Sequence, residues 1–189
     1  MIQPRFLSGQ LLLAMPGIGD ERFERAVIAM CVHDENGALG IIANRRHERL
    51  SVRELMEQLD VDPGLTPHDA MVLAGGPVEP GRGFVVHSPD YQGDGTIDVA
   101  GLWGLTASLG VLRDIAEGRG PARWFLALGY AGWGPGQLEG ELTRHGWASV
   151  EAGEARALLY DLPLESRWSR AFGLMGVDVG RLAGAAGHA

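Results

Sequence analysis

Apolar residues in this chain fall into short continuous runs punctuated by Gly, Pro and Asn, the pattern of buried strands. Gln10 to Met15 is such a run and stops at Pro16-Gly17. Ala26 to His33 is a second, followed by Asp34-Glu35-Asn36-Gly37. Asn-Gly between two apolar runs signals a hairpin, so a returning strand is predicted over Ala38 to Asn44. Gly40 inside it marks a bulge or a close packing contact. Arg45-Arg46-His47-Glu48-Arg49 reads as a loop leading into a helix. Ser51 opens that helix in a capping box with Glu54. Val52, Leu55, Met56 and Leu59 line its inner face, and it should end near Asp60, before Pro63-Gly64.

Met71 to Ala74 predicts a strand entering Gly75-Gly76-Pro77-Val78, and Gly83 to His87 another. Tyr91 to Gly95 is a polar loop. Thr96 to Ala107 holds a strand carrying Trp103. Ser108 caps a helix whose inner face is Leu109, Leu112, Ile115 and Ala116, ended by Gly118, Gly120 and Pro121. Trp124 to Tyr130 is the central strand. Four glycines in the eight residues Gly129 to Gly136 then form a hinge that presents Tyr130, Trp133, Gln137 and Glu139 at one sheet edge. Gly134 as N-cap and Pro135 at the first helical position start the next helix, with Leu138 and Leu142 inward. Glu154 to Tyr160 and Leu164 to Met175 are further helices, and Arg181 to Ala189 reads as frayed. Partial alternation with an early hairpin predicts an α+β fold. It is expected to be one domain over 1–189, with a mixed, largely antiparallel sheet flanked by helices.

Composition narrows the function classes. A net charge of −8 argues against a broad nucleic-acid surface and against a polybasic membrane patch. All 16 basic residues are arginine, which removes Schiff-base lysines and the P-loop lysine. Cys31 is the only cysteine, so no intramolecular disulfide forms. The Leu11-Leu12-Leu13-Ala14-Met15 run is too short for a signal-peptide core or a membrane span, and a cytoplasmic protein is expected.

With these segments placed, the chain resembles the YqgE/AlgH family of bacterial proteins. The resemblance rests on Gly9-Gln10-Leu11-Leu12 with Met15-Pro16, on Phe23-Glu24-Arg25-Ala26-Val27, and on Gly37-Ala38-Leu39-Gly40 with Asn44. It continues through Gly75-Gly76-Pro77-Val78 and Arg82 to His87, and Gly129 to Glu141 is its most specific part. Trp147, Trp168 and the closing Gly187-His188-Ala189 are similar too. Departures are small: Met15 and Ile18-Gly19 around Pro16, and Gly110 inside a helix. The resemblance implies a cytoplasmic α+β protein of largely unassigned biochemistry, with one branch labelled as a transcriptional regulator. No helix-turn-helix or zinc finger is visible.

Candidate chemistry is sparse. Cys31 and His33 would share a face if both lay on one regular strand, roughly 6–7 Å apart, which is long for a nucleophile and its base. The six histidines show no zinc-enzyme spacing, so no metal or cofactor is expected. Gly75-Gly76, with Arg82 beyond, lacks a phosphate-loop spacing and reads first as a tight turn. Arg45, Arg46, Arg49 and Arg53 form a basic cluster diluted by Glu48, Glu54 and Glu57, with Arg53 to Glu57 a local pair. Direct nucleic-acid binding is therefore not expected. Tyr130, Trp133, Gln137 and Glu139 either plug the end of the sheet or wall a ligand pocket. The reading is a non-enzymatic binding or regulatory module for a protein or small molecule. The alternative is an enzyme, such as a hydrolase, using Asn44, Arg82, His87 and the hinge; no catalytic residue is assigned. Oligomeric state is left open.

Overall fold

The computed structural model describes residues 6–151, 153 and 156–185. The closing Gly187-His188-Ala189 and the start of the predicted Glu154 to Tyr160 helix lie outside them. Among the described residues ten strands make one sheet: β1 Gln10–Ala14, β2 Val27–Asp34, β3 Gly37–Ile42, β4 Arg46–Ser51, β5 Met71–Ala74, β6 Val78–His87, β7 Ile97–Val99, β8 Trp103–Thr106, β9 Trp124–Trp133 and β10 Trp147–Glu151. The main path runs β10-β1-β2-β3-β9-β6-β8-β7, with β5 against β9 and β4 against β5. Every pair is antiparallel except β5 with β9. The helices are α1 Val52–Gln58, α2 Leu109–Ala116, α3 Gln137–Thr143, α4 Arg156–Tyr160, α5 Leu164–Leu174 and α6 Val179–Ala185. The architecture is α+β and dominated by its sheet.

The uninterrupted apolar runs reflect burial on both faces. Leu11 and Leu13 of β1 enter one core with Ala29, Phe125, Trp103, Trp168 and Phe172, under α4 and α5. Leu12 and Ala14 enter a second core with Met30, Trp133, Leu138 and Trp147, under α3. A third, with Val85, Leu126 and Met56, lies under α1 and α2.

Local signals hold where chemistry is local. Ser51 and Glu54 form both halves of the capping box. Gly40 faces a register shift between Met30 and Val32, and a Cβ there would sit 2.4 Å from Ile28. Several segments differ from expectation. Arg46–Ser51 is a strand, because pairing with β5 overrides its charged composition. The strand ending at His87 begins at Val78, with a register shift before Gly83. Leu59 and Leu109 are exposed, and Val111 takes the inward place on α2. No local sequence signal marks β10, which pairs with β1.

The central strand also runs on past Tyr130. Its first half pairs with β6 and β5, and its second half pairs with β3, up to Ala38 opposite Trp133. The switch occurs at Gly129, where φ is 78°. The loop after β5 presses on this point. A Cβ on Gly75 would meet the Gly129 carbonyl at 2.3 Å, one on Gly129 would meet the Gly76 carbonyl at 2.3 Å, and one on Gly76 would meet the Tyr130 carbonyl carbon at 2.1 Å. These glycines serve backbone-on-backbone contact.

Candidate functional site

Downstream of Trp133 the turn Gly134-Pro135-Gly136 carries the chain into α3. Gly136, with φ 71°, is the N-cap, two residues later than predicted. Gln137 closes the turn: its Oε1 accepts from the Gly134 N–H at 3.0 Å. Its Nε2 donates to Glu141 Oε1 at 3.1 Å, across one helical turn. Glu141 Oε2 accepts from two indoles, Trp133 Nε1 at 3.0 Å and Trp147 Nε1 at 2.8 Å. One carboxylate thereby fixes the end of β9, the start of β10 and the α3 turn. The Trp133 and Trp147 rings meet edge to face at 6.0 Å, and Phe23 sets its edge against Trp147 at 5.5 Å. Both indoles are almost wholly buried. Above them opens a cleft of about 530 Å³, rimmed by Arg22, Gln137, Glu141 and Arg144.

Glu141→Ala removes the oxygen on which both indole N–H groups converge, leaving two largely buried donors without an acceptor. A loss of at least about 1–3 kcal/mol in denaturant unfolding is expected, the usual cost of a single unsatisfied buried donor. A midpoint equal to the parent's would show that the indoles find other acceptors.

Glu139, two residues earlier, faces the sheet instead. Its Oε1 meets His33 Nε2 at 3.0 Å, while His33 Nδ1 accepts from the Leu7 N–H at 3.0 Å. The Leu7 donor fixes the tautomer, so Nε2–H donates to Glu139. Cys31 is not a partner for His33. The register shift after Met30 leaves Cys31 in the core beneath α5, whereas His33 pairs with Ala38 on the α3 face. Burial pushes the Cys31 thiol up to about 12.

The other candidate residues have different surroundings. Asn44 is a backbone clamp: Oδ1 accepts from Val27 N–H at 2.9 Å and Nδ2 donates to the Arg25 carbonyl at 2.8 Å. Gly75 and Gly76 are filled against Gly129 and Tyr130, leaving no cradle for a phosphate. Arg82 is exposed, 3.4 Å from Glu79 and 5.0 Å over the Phe84 ring. Tyr130 packs its edge on Phe84 and lines an open depression beside Trp133. His87 is wholly buried: Nδ1–H donates to the Ser88 carbonyl at 2.9 Å, and Nε2 accepts from Thr106 Oγ1 at 2.8 Å. Thr96 Oγ1 continues this network at 2.7 Å. Trp133 and Gln137 thus share one cleft with Glu141, while Asn44, Arg82 and His87 do not join it. No short motif marks Glu141 as a site residue, because its indole partners come from β9 and β10.

Burial holds the His87 pKa below its ordinary value of 6.5, against a smaller opposing effect of the Ser88 carbonyl. The unfolded chain therefore takes up a proton near pH 6.5 that the folded chain refuses. His87's contribution to stability is complete above pH 6.5 and is lost as pH falls toward the folded value. His87→Gln should flatten the decline of the unfolding midpoint between pH 7 and the acid side. An unchanged slope would assign the decline to other groups.

Among the described residues, no group of three or more His, Cys, Asp and Glu is placed to hold a metal ion, and no helix is long and apolar enough to cross a membrane. A family model described as AlgH-like matches residues 11–180. The chain belongs to the AlgH-like family. A UPF0301 protein of Rhizorhabdus wittichii is 55% identical over the full length of both chains, and one of Novosphingobium aromaticivorans 53%. The solution structure of the AlgH protein from Pseudomonas aeruginosa superposes with a TM-score of 0.79 at 38% identity, covering 100% of this chain and 99% of that one. A crystal structure of a protein from Corynebacterium diphtheriae shares the fold at 21% identity, with a TM-score of 0.71 over 90% of this chain and 87% of that one. The AlgH-like match takes in the Trp133–Glu141–Trp147 arrangement, Asn44 and the glycine contact. These relatives' names state no reaction.

Proposed function

We propose that this chain is a non-catalytic binding protein that regulates through a partner, with the cleft over Trp133, Trp147 and Phe23 as its contact surface. The observation that carries this reading is the commitment of the cleft's polar groups. Glu141 and Gln137 are spent on holding two indoles and a turn, so the cleft has a fixed apolar floor. Arg144 at its rim has no carboxylate within ion-pair distance among the described residues. A rigid apolar floor with an uncommitted cation suits recognition of an apolar group bearing negative charge. Three groups of the kinds used in catalysis are committed: both ring nitrogens of His33 and of His87 are engaged, and the Cys31 thiol is buried. Contact without DNA fits the basic cluster. Arg53 is tied to the Gly64 and Thr66 carbonyls rather than to Glu57, and Arg45 to the Arg22 and Glu24 carbonyls.

The test is capture from lysate by the parent and by Arg144→Glu, with bound proteins and small molecules identified, beside ester, phosphoester and peptide hydrolysis assays. The expected result is a partner retained by the parent and lost by the variant, with no turnover by either. Turnover by the parent that disappears in Arg144→Glu would make the cleft an active site. Sub-micromolar binding of random duplex DNA, lost in Arg46→Ala with Arg49→Ala, would overturn action without DNA contact.

A further inference from the structure

A second cleft lies between the β1–β2 connection, the corner after β3, and the first turns of α5 and α6, with a volume of about 620 Å³. At its wall stands Arg25, with φ 53°. A non-glycine residue in the left-handed region is strained, and the strain persists only where the surroundings enforce it. Asn44 enforces it, gripping the Arg25 carbonyl and the Val27 N–H together. The guanidinium is thereby set 5.6 Å from the ring centroid of Trp168. The ring is itself fixed, because its Nε1–H donates to the Ala14 carbonyl at 2.8 Å. A guanidinium resting on an indole keeps in-plane N–H donors free for an oxyanion. Among the described residues no carboxylate lies within ion-pair distance of Arg25.

Two more guanidinium groups raise the local potential. Arg45 lines the cleft and braces the loop through the Arg22 and Glu24 carbonyls. Arg167 is 6% exposed and donates to the Ala43, Leu159 and Leu162 carbonyls at 2.6, 2.8 and 2.9 Å, with no carboxylate among the described residues bonded to it. Burial pushes it down to about 10, the response of a cation without a countercharge. Asp161, which acts on it through space, is engaged with Arg123. Ala43 precedes Asn44 and Arg167 precedes Trp168, so this charge lies directly behind the cleft wall. Glu24 and Glu165 also line the cleft, but both are exposed and neither pairs with Arg25.

We propose that this cleft binds a small organic oxyanion, a phosphate or a carboxylate, through Arg25, with Trp168 as its shelf and Asn44 as the positioning residue. The site is separate from the cleft over Trp133, and it stands or falls without it. The volume is in the range of small-molecule sites.

The test titrates pyrophosphate and citrate into the full chain at constant ionic strength, followed by calorimetry. The expected result is binding of at least one with Kd under about 1 mM, weakened at least about tenfold in Arg25→Gly and unchanged in Arg144→Ala. Glycine carries no strain at positive φ, so Arg25→Gly should unfold at the parent's midpoint or above it. If glycine instead loosens the loop, Arg25→Gln is held to the same tenfold criterion. Binding of pyrophosphate alone identifies a phosphate ligand, and of citrate alone a carboxylate. The proposal is overturned if neither anion binds by about 10 mM, a concentration far above useful affinity. It is also overturned if the Arg25 variants bind like the parent, or if Arg144→Ala abolishes the binding.

Discussion

Trp133→Ala is expected to lower the free energy of unfolding by about 3–5 kcal/mol, the usual cost of removing a large buried aromatic. Three losses coincide. The ring is 7% exposed and belongs to the core that holds Met30, Leu138 and Trp147, so its removal leaves a void. The edge-to-face contact with Trp147 disappears. Glu141 keeps its negative charge but loses an indole donor. Trp133→Phe should cost less, because most of the volume stays and only the N–H is lost. The neighbours differ: Glu139→Ala leaves the buried His33 Nε2–H unpaired and should cost about 1–3 kcal/mol. Gln137 is exposed, so its replacement should cost less than that of Glu139. Denaturant unfolding of the four variants beside the parent decides. Should Trp133→Ala unfold at the parent's midpoint, the indole is not a structural keystone, and its burial serves something other than stability.

Gly76→Ala should be as damaging or worse, at more than about 4 kcal/mol, in the range reserved for a few specific mechanisms. The added methyl would lie 2.1 Å from the Tyr130 carbonyl carbon and 2.4 Å from the Ala131 nitrogen, and its own φ is 154°. Those neighbours are backbone atoms of a strand paired on both sides, so they have no rotamer through which to yield. Relief requires β9 to part from the loop after β5, which would disturb Gly75 N–H to Leu128 and Ile42 N–H to Gly75. The measurement is soluble yield and chemical unfolding of Gly76→Ala against Gly81→Ala, where a Cβ meets nothing within 4 Å. Equal stability of the two would show that the backbone crossing yields to a methyl group.

What the sequence disclosed follows from the range of each interaction. The Ser51–Glu54 box and the Asn36-Gly37 hairpin are decided within four residues, and both are legible. The strand at Arg46–Ser51 is decided by β5, some twenty residues on, so its charged side chains pointed to a loop. β10 has a small, polar centre in Ala148-Ser149 and becomes a strand only because β1 offers an edge. The site divides the same way. Trp133 and Gln137 sit in the motif and were visible as candidates. Glu141's role depends on Trp147 arriving from another strand, and Arg25's on Asn44. His87 looked free to act only because Thr106 and Thr96 could not be seen beside it.

The pairing of Gln10 with Glu151 bears on how the chain is made. β1 is made well before β10, and its outer edge lacks this neighbour until β10 follows. Leu11, Leu12 and Leu13 can hairpin onto β2 early, yet one row of their backbone donors and acceptors waits. An unpaired apolar edge of this kind is a template for mispairing with another nascent chain. Slow elongation between β2 and β10 should therefore lower soluble yield in translation reactions, and supplying a peptide of the β10 sequence, Trp147–Glu151, in trans should restore part of it.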